Sequence, residues 1–161
     1  MTTLTLSPAV CAEIDGWLAK FPADRKQSAV IPALHIAQNA LGGWLSREAM
    51  DAVADYLGLP RIAVYEVATF YSMYRLKPVG RHKIDLCTNI SCLLNGSDEL
   101  LDHLKTKWNL CPGQTTEDGR FTLREVECLA ACGGAPAMQI GRTYYEHLTP
   151  EQLDTVLNTL E

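Results

Sequence analysis

Four of the six cysteines fall in two pairs, Cys87 and Cys92 in a C-x4-C stretch (CTNISC) and Cys128 and Cys132 in a C-x3-C stretch (CLAAC), with 35 residues between the pairs. Four soft thiolates delivered by two chain segments select an iron–sulfur cluster, zinc or Cu(I). A [2Fe–2S] core takes two ligands per iron, so one pair suits one iron and the other pair the second. Such a cluster moves one electron at a time, at a potential set by nearby charge, hydrogen bonds to the sulfurs and solvent access. Zinc is the rival: structural zinc knuckles are usually tighter C-x2-C pairs, though longer spacings occur. A dithiol or disulfide pair, or plain buried cysteines, is the third reading. Spacing favours the iron–sulfur cluster. A Rieske site would need histidine in the ligand loops, and His35, His82, His103 and His147 all lie elsewhere. The clustered cysteines of plant-type ferredoxins and a thioredoxin C-x2-C are both absent. Cys11 and Cys111 stand alone and read as small buried hydrophobes.

Other chemistry is missing from the motifs. There is no G-x-G-x-x-G or G-x4-G-K-[ST] cradle, no G-x-S-x-G elbow and no H-E-x-x-H pair. A chain with a cluster and no substrate site must exchange electrons with another protein, which makes it a subunit.

The elements that would carry these cysteines change character midway. From the N-terminus to about residue 76 the pattern is helical. A short helix is expected over residues 8–20. Ser28 is read as the cap of a helix with Val30, Leu34, Ala37 and Leu41 on one face, stopped by Gly42-Gly43. Ser46 caps the next, with Glu48 near its positive end, Met50, Val53 and Leu57 along its apolar stripe, and Gly58 as its stop. Pro60 suits the first turn of a fourth helix bearing Val64, Val67, Ala68 and Tyr71. The run Phe70-Tyr71-Ser72-Met73-Tyr74 is expected to be core between the two halves, with a partner surface as the alternative. Together these predict a small antiparallel bundle.

After Lys77-Pro78-Val79-Gly80 the period becomes two. His82, Ile84 and Leu86 alternate in a strand that ends at Cys87. Ser97-Asp98-Glu99 opens a helix with Leu101, Leu104 and Trp108 on its apolar face. Pro112-Gly113 and Asp118-Gly119 are turns, Phe121 and Leu123 lie on a strand leading to Cys128, Gly133-Gly134 turns again, and Met138 and Ile140 form a further strand. Thr149-Pro150-Glu151-Gln152 is a capping box before a final helix with Leu153, Val156, Leu157 and Leu160 on one face. This second part predicts a small α/β or α+β sandwich with each cysteine pair at a strand end.

Bulk properties set the class. The chain has 161 residues, 47% of them hydrophobic and 20% charged, with no run near the roughly 20 apolar residues of a bilayer span. The N-terminal stretch MTTLTLSPAV has no basic, apolar signal pattern, so a cytosolic setting is expected, where paired cysteines are more often metal or redox groups than disulfides. Net charge is −5: residues 1–80 carry seven basic and seven acidic side chains, and residues 81–161 carry seven and twelve. The whole deficit sits in the cysteine-bearing half, which argues against nucleic acid as a partner. Glu125 and Glu127 beside the second pair would disfavour an added electron and lower the potential.

Several stretches together resemble one family: Val67-Ala68-Thr69-Phe70-Tyr71, Pro78-Val79-Gly80-Arg81-His82, the C-x4-C pair, Pro112-Gly113-Gln114-Thr115-Thr116, Asp118-Gly119-Arg120-Phe121 and the Cys128–Cys132 loop. The chain is similar, from about residue 10 to its end, to the thioredoxin-like [2Fe–2S] subunits of bacterial NADH:quinone oxidoreductase (respiratory complex I). Equivalent subunits of NAD-reducing hydrogenases and NAD-dependent formate dehydrogenases are the alternative, and a zinc-stabilised interaction module is a third. The resemblance implies an α+β chain, with a helical bundle over residues 1–76 and a thioredoxin-like [2Fe–2S] ferredoxin domain over residues 77–161. It implies that Cys87, Cys92, Cys128 and Cys132 ligate the cluster, and that FMN, NADH and a [4Fe–4S] cluster sit on a larger flavoprotein partner subunit within a peripheral arm. It further implies no catalytic residues on this chain, no membrane insertion, and a place on the cytoplasmic side of the inner membrane. The loop Ala131–Pro136 is less polar than such relatives lead one to expect.

Overall fold

The computed structural model describes residues 4–160. The chain divides into two compact units, Met1–Pro78 and Val79–Glu161.

The first unit is helical. Helix α1 (Pro8–Leu18) starts where the Ser7 side chain accepts the Val10 N–H and Pro8 fills the first helical position, where a missing N–H costs nothing. Helix α2 (Val30–Ala40) departs from expectation at its start. A 3-10 turn over Lys26–Ala29 runs straight into it, the Val30 N–H is already bonded to the Gln27 carbonyl, and Ser28 lies inside that turn instead of capping the helix. Helix α3 (Arg47–Leu57) has the Ser46 cap, and Gly58 stops it at φ +67°, a conformation that costs an L side chain. Helix α4 (Arg61–Phe70) begins just after Pro60. Ile14, Leu34, Leu45, Val53, Leu57 and Val64 meet in one apolar core. The buried side-chain amide of Gln38 is satisfied twice: its oxygen accepts the Arg75 N–H at 2.7 Å and its nitrogen donates to the Met73 carbonyl at 3.2 Å. Of the aromatic run expected in the core, only Tyr74 is buried, with its hydroxyl on the Ile31 carbonyl at 2.8 Å. Phe70 is 80% exposed and Tyr71 and Met73 are open to solvent, because α4 ends at Phe70 and its apolar stripe through Val64 and Ala68 faces the other way.

The second unit is a four-stranded mixed sheet with helices. Strand β1 (His82–Cys87) runs parallel to β2 (Phe121–Val126) and antiparallel to β3 (Met138–Ile140), which pairs antiparallel with β4 (Thr143–Tyr145); the order is β2-β1-β3-β4. The register sets Cys87 opposite Val126, so the ends of the two parallel strands arrive together. Between β1 and β2 come α5 (Ile90–Leu94) and α6 (Ser97–Trp108), and α7 (Pro150–Thr159) closes the chain behind the Thr149–Gln152 capping box. Helix α5 and strand β4 have no counterpart in the sequence reading. Ile84, Leu86, Phe121, Leu123 and Met138 of the sheet share one core with Leu100, Leu104, Leu153 and Leu157 of the helices.

Two polar devices hold the helices of this unit. Asp154 of α7 accepts from the Lys107 ammonium at 2.6 Å, the Trp108 indole N–H at 2.9 Å and the His103 ring at 2.9 Å, all on α6. Burial works to raise the Asp154 carboxyl, but these donors outweigh it and hold it well below the usual carboxylate range. The Arg120 guanidinium donates to the carbonyls of Leu157 and Leu160 at the end of α7, adding to the bond the Leu157 carbonyl already accepts from the Leu160 N–H. Gly80 is fixed by close approach, since a Cβ there would lie 2.9 Å from the Phe121 carbonyl carbon.

Candidate metal centre

All four paired cysteines line one cavity of about 30 Å³, together with Asn89, Ser91, Leu129, Ala130, Ala131 and Ala137. Cys11 and Cys111 take no part in it. Its size is far below the roughly 300–1,000 Å³ of clefts that hold organic ligands. An open cleft of about 640 Å³, lined by Lys107, Trp108, Gln114 and Asp118 among others, contains no thiol.

One wall is built from regular structure. Cys87 is the last residue of β1; its N–H donates to the Ala137 carbonyl at 3.0 Å, and the next N–H, of Thr88, donates to the Val126 carbonyl at 3.2 Å. The chain then turns directly into α5, where the Asn89 side chain caps by accepting the Ile90 N–H at 2.7 Å. Five residues after Cys87, that helix turns Cys92 back inward. Both thiols are buried, at 4% and 2% exposure, in an apolar pocket with Ala137, Val126 and Leu129.

The opposite wall is a loop. It leaves β2 at Val126 and carries Cys128 and Cys132, both exposed, with Cys132 opening a 3-10 turn to Gly134. Ala130 holds a left-handed φ of 58°, which costs a residue with a Cβ about 1–2 kcal/mol. The Ala130 N–H donates to the Cys128 sulfur at 3.2 Å. Gly134 is packed against Glu146, whose Cβ would lie 2.7 Å from a Cβ placed at Gly134. The Gly134 carbonyl accepts the His147 N–H at 2.7 Å, which ties the loop to the segment after β4.

Polar contacts join the walls. The Cys87 thiol lies 3.8 Å from the Glu127 carbonyl, and the Ser91 hydroxyl donates to the Cys132 carbonyl at 3.2 Å. The thiols also sense each other. Burial pushes the Cys92 thiol up from its ordinary value, and its hydrogen bond with Cys87 adds to that; a backbone bond at Ala137 opposes, and Cys132 raises it further. A thiol held protonated in this way releases its proton when a metal binds, because the thiolate is the ligand.

The donor set fits a binuclear core: four thiols, two from each chain segment, with a backbone N–H already aimed at one sulfur. Among the described residues no three Cys, His, Asp or Glu side chains converge as ligands of a single metal ion do, and a [2Fe–2S] core asks only for one pair per iron. The sequence reading singled out the four cysteines. It missed Ser91 and the inward turn of α5, although Asn89 before Ile90-Ser91-Cys92 is a helix-start signal. Glu125 and Glu127, read as an acidic shell, are both solvent-exposed, so water screens much of their influence on the cavity.

The family model of thioredoxin-like [2Fe-2S] ferredoxins matches residues 14–161. The E-type NADH-quinone oxidoreductase subunit of Rickettsia bellii is 44% identical over 143 residues, spanning 89% of this chain and 86% of its own length. An E-type NADH-quinone oxidoreductase subunit of Rhizobium meliloti is 46% identical over 147 residues, spanning 91% and 86%. Among solved structures, an NAD+-reducing [NiFe]-hydrogenase in the H2-reduced state superposes with a TM-score of 0.70 at 24% identity, over 81% of this chain and 22% of that one. At that identity the likeness speaks for the fold.

Proposed function

The chain belongs to the thioredoxin-like [2Fe-2S] ferredoxin family, and from that premise we propose that it is the electron-transfer subunit of an NADH:quinone oxidoreductase, with one [2Fe–2S] cluster held by Cys87, Cys92, Cys128 and Cys132. The observation that carries this reading is the lining of one small cavity by all four paired thiols, in a chain more than 40% identical to NADH-quinone oxidoreductase subunits over most of both lengths. When bound, the cluster supplies single-electron transfer.

The chain's own residues do the rest. Cys87 and Cys92 offer two thiols from a buried, apolar wall, and Cys128 and Cys132 offer two from the solvent side. The Ala130 N–H donates to the Cys128 sulfur and helps orient it. Val126, Leu129 and Ala137 keep water from the inner thiols.

The flavin and NADH belong on a larger partner subunit, with which this chain exchanges electrons, and the chain has no independent catalytic activity. Among the described residues no helix is long and apolar enough to cross a membrane; we assign the subunit to a peripheral arm on the cytoplasmic side. Residues 1–76 act as a helical bundle and residues 77–161 as the cluster domain.

The test is iron and acid-labile sulfide content of the anaerobically purified chain, with EPR after reduction. About two irons and two sulfides per chain, and an S = 1/2 signal on reduction, are expected. Stoichiometric zinc without sulfide, persisting through anaerobic reconstitution with iron and sulfide, would overturn the reading.

A further inference from the structure

We propose that the four-thiol cavity has a second chemistry: before a cluster is inserted, it is a thiol–disulfide exchange centre that takes oxidising equivalents from a low-molecular-weight disulfide at Cys132 and passes them through Cys92 to a disulfide between Cys87 and Cys92. The exchange rests on the placement of the sulfurs. Its consequence, control of cluster loading, rests on the electron-transfer reading above.

The cavity of about 30 Å³ that the four cysteines line has room for only a few waters, so the sulfurs face one another across a short gap. The inner two are in contact. Cys87 and Cys92 share a hydrogen bond, on a wall whose backbone is set by a strand end and a capped helix. Cys132 acts on Cys92 through space, and the hydroxyl of Ser91, the residue before Cys92, holds the Cys132 carbonyl at 3.2 Å. Exposure divides the roles. Cys128 and Cys132 are open to solvent, whereas Cys87 and Cys92 are 4% and 2% exposed behind Val126, Leu129 and Ala137. A dissolved disulfide therefore meets the outer thiols first. Of these, Cys132 is the one tied to α5, while the Cys128 sulfur accepts from the Ala130 N–H.

Each step is the attack of a thiolate on a disulfide sulfur. Cys132 attacks the dissolved disulfide RSSR, a Cys132–SR bond forms, and one RS⁻ leaves. Cys92 attacks the Cys132 sulfur, a Cys92–Cys132 bond forms across the walls, and the second RS⁻ leaves. Cys87 attacks the Cys92 sulfur, a Cys87–Cys92 bond forms, and Cys132 leaves as a thiolate. Between them Cys87 and Cys92 have lost two electrons and two protons, and two RSH molecules carry these away. The product joins neighbours within the rigid wall, out of the solvent, and Cys132 is free again. The inner wall then has no thiolate to give to iron. The chain loads a cluster only after a dithiol runs the steps in reverse.

The experiment treats the full chain, stripped of metal by a chelator with a dithiol and desalted without air, with excess glutathione disulfide. Free thiols are alkylated at intervals and the pairs mapped by peptide mass spectrometry. The wild type is expected to end with a Cys87–Cys92 disulfide and with Cys128 and Cys132 alkylated. Cys87→Ser is expected to stop one step earlier and accumulate the Cys92–Cys132 disulfide. Cys132→Ser is expected to slow loss of the Cys92 thiol at least about tenfold, and Ser91→Ala, which keeps every thiol, is expected to slow it in the same direction. The oxidised wild type is expected to take up less than about one-tenth of the iron and sulfide that the reduced chain takes up, with uptake restored by a dithiol. A lasting glutathione adduct on Cys132, a Cys128–Cys132 disulfide, or a Cys92 thiol lost as fast in Cys132→Ser as in the wild type would overturn the exchange; the electron-transfer reading would stand, because the reduced chain would still load iron and sulfide. A Cys87–Cys92 disulfide that forms as expected in a chain whose reduced form takes up no iron or sulfide would support the exchange and overturn both the electron-transfer reading and the control of loading.

Discussion

The cavity has two unlike walls. Cys87 and Cys92 are set by a central strand and a capped helix, in a register fixed by β2 and β3, and both thiols are out of the solvent. Cys128 and Cys132 ride on a loop that lacks a regular ladder and is held by scattered bonds: Ala130 to its neighbour's sulfur, Ser91 to Cys132, and His147 to Gly134. Both walls offer the same functional group, yet one is positioned by the fold before any ligand arrives. The other is held by irregular bonds, so a core ligated there, as proposed, would add to its order. In such a site metal binding and local folding are one free energy.

Substitution of the proposed ligands tests this most strongly. Cys87→Ser or Cys92→Ser replaces a buried sulfur with a harder oxygen that rigid packing holds in place. Iron content is expected to fall to about one-tenth or less. Cys128→Ser or Cys132→Ser acts on the exposed loop, which can shift to bring the shorter Ser side chain within reach. A cluster is expected to persist there, with an altered EPR signal and partial occupancy. Equal losses in all four variants would erase the distinction between the walls, and unchanged spectra in all four would remove these residues as ligands.

The next effect comes from undermining the rigid wall. Leu86 precedes Cys87 on β1 and is fully buried in the sheet–helix core. Leu86→Ala is expected to cost about 2–5 kcal/mol of stability by thermal or denaturant unfolding. It should also speed iron release, since the strand end that carries Cys87 is loosened. A stability loss with no change in iron retention would show that the wall stands independently of its core.

Asp154 provides a perturbation of the same unit that involves no residue of either wall. Its folded-state carboxyl is depressed, so its stabilising contribution is present above the ordinary carboxylate value near 4 and is lost as pH falls below it. Asp154→Asn is expected to cost about 1–3 kcal/mol at neutral pH, and less as the pH falls below about 4. The EPR signal at neutral pH should not move. A changed signal would mean that the cavity is coupled to the α6–α7 contact.

What the sequence made legible divides along the same line. The helix caps at Ser46 and Thr149, the stop at Gly58 and the alternation of Ile84 and Leu86 are local signals, and the structure follows each of them. The cysteines were legible because thiol chemistry is read from residue type and spacing. Less legible were features decided by what comes before or after. Ser28 has a capping side chain, but a preceding 3-10 turn absorbed it into the helical path. Phe70 has a core-type side chain, but the end of α4 left it outside. Helix α5 is too short to show a period, and its apolar residues face out. Strand β4 spans only Thr143–Tyr145 and exists as a strand through its pairing with β3.

The smallest expected effect is the most specific to the contrast between the walls. Ser91 belongs to the rigid wall by position, within α5, and to the loop by its bond, with its hydroxyl donating to the Cys132 carbonyl at 3.2 Å. Through this hydroxyl, order on one side reaches the other. Removing it leaves a partly exposed carbonyl that water can satisfy, so Ser91→Ala is expected to cost no more than about 1 kcal/mol of global stability. All four thiols remain, and iron and sulfide should still load. What should change is the loop: faster cluster loss to a chelator and a broadened EPR signal, both restored by Ser91→Thr, which keeps the hydroxyl. If Ser91→Ala releases its cluster at the wild-type rate, the loop takes its order from the core and from His147 and Ala130 alone, and the two walls are independent.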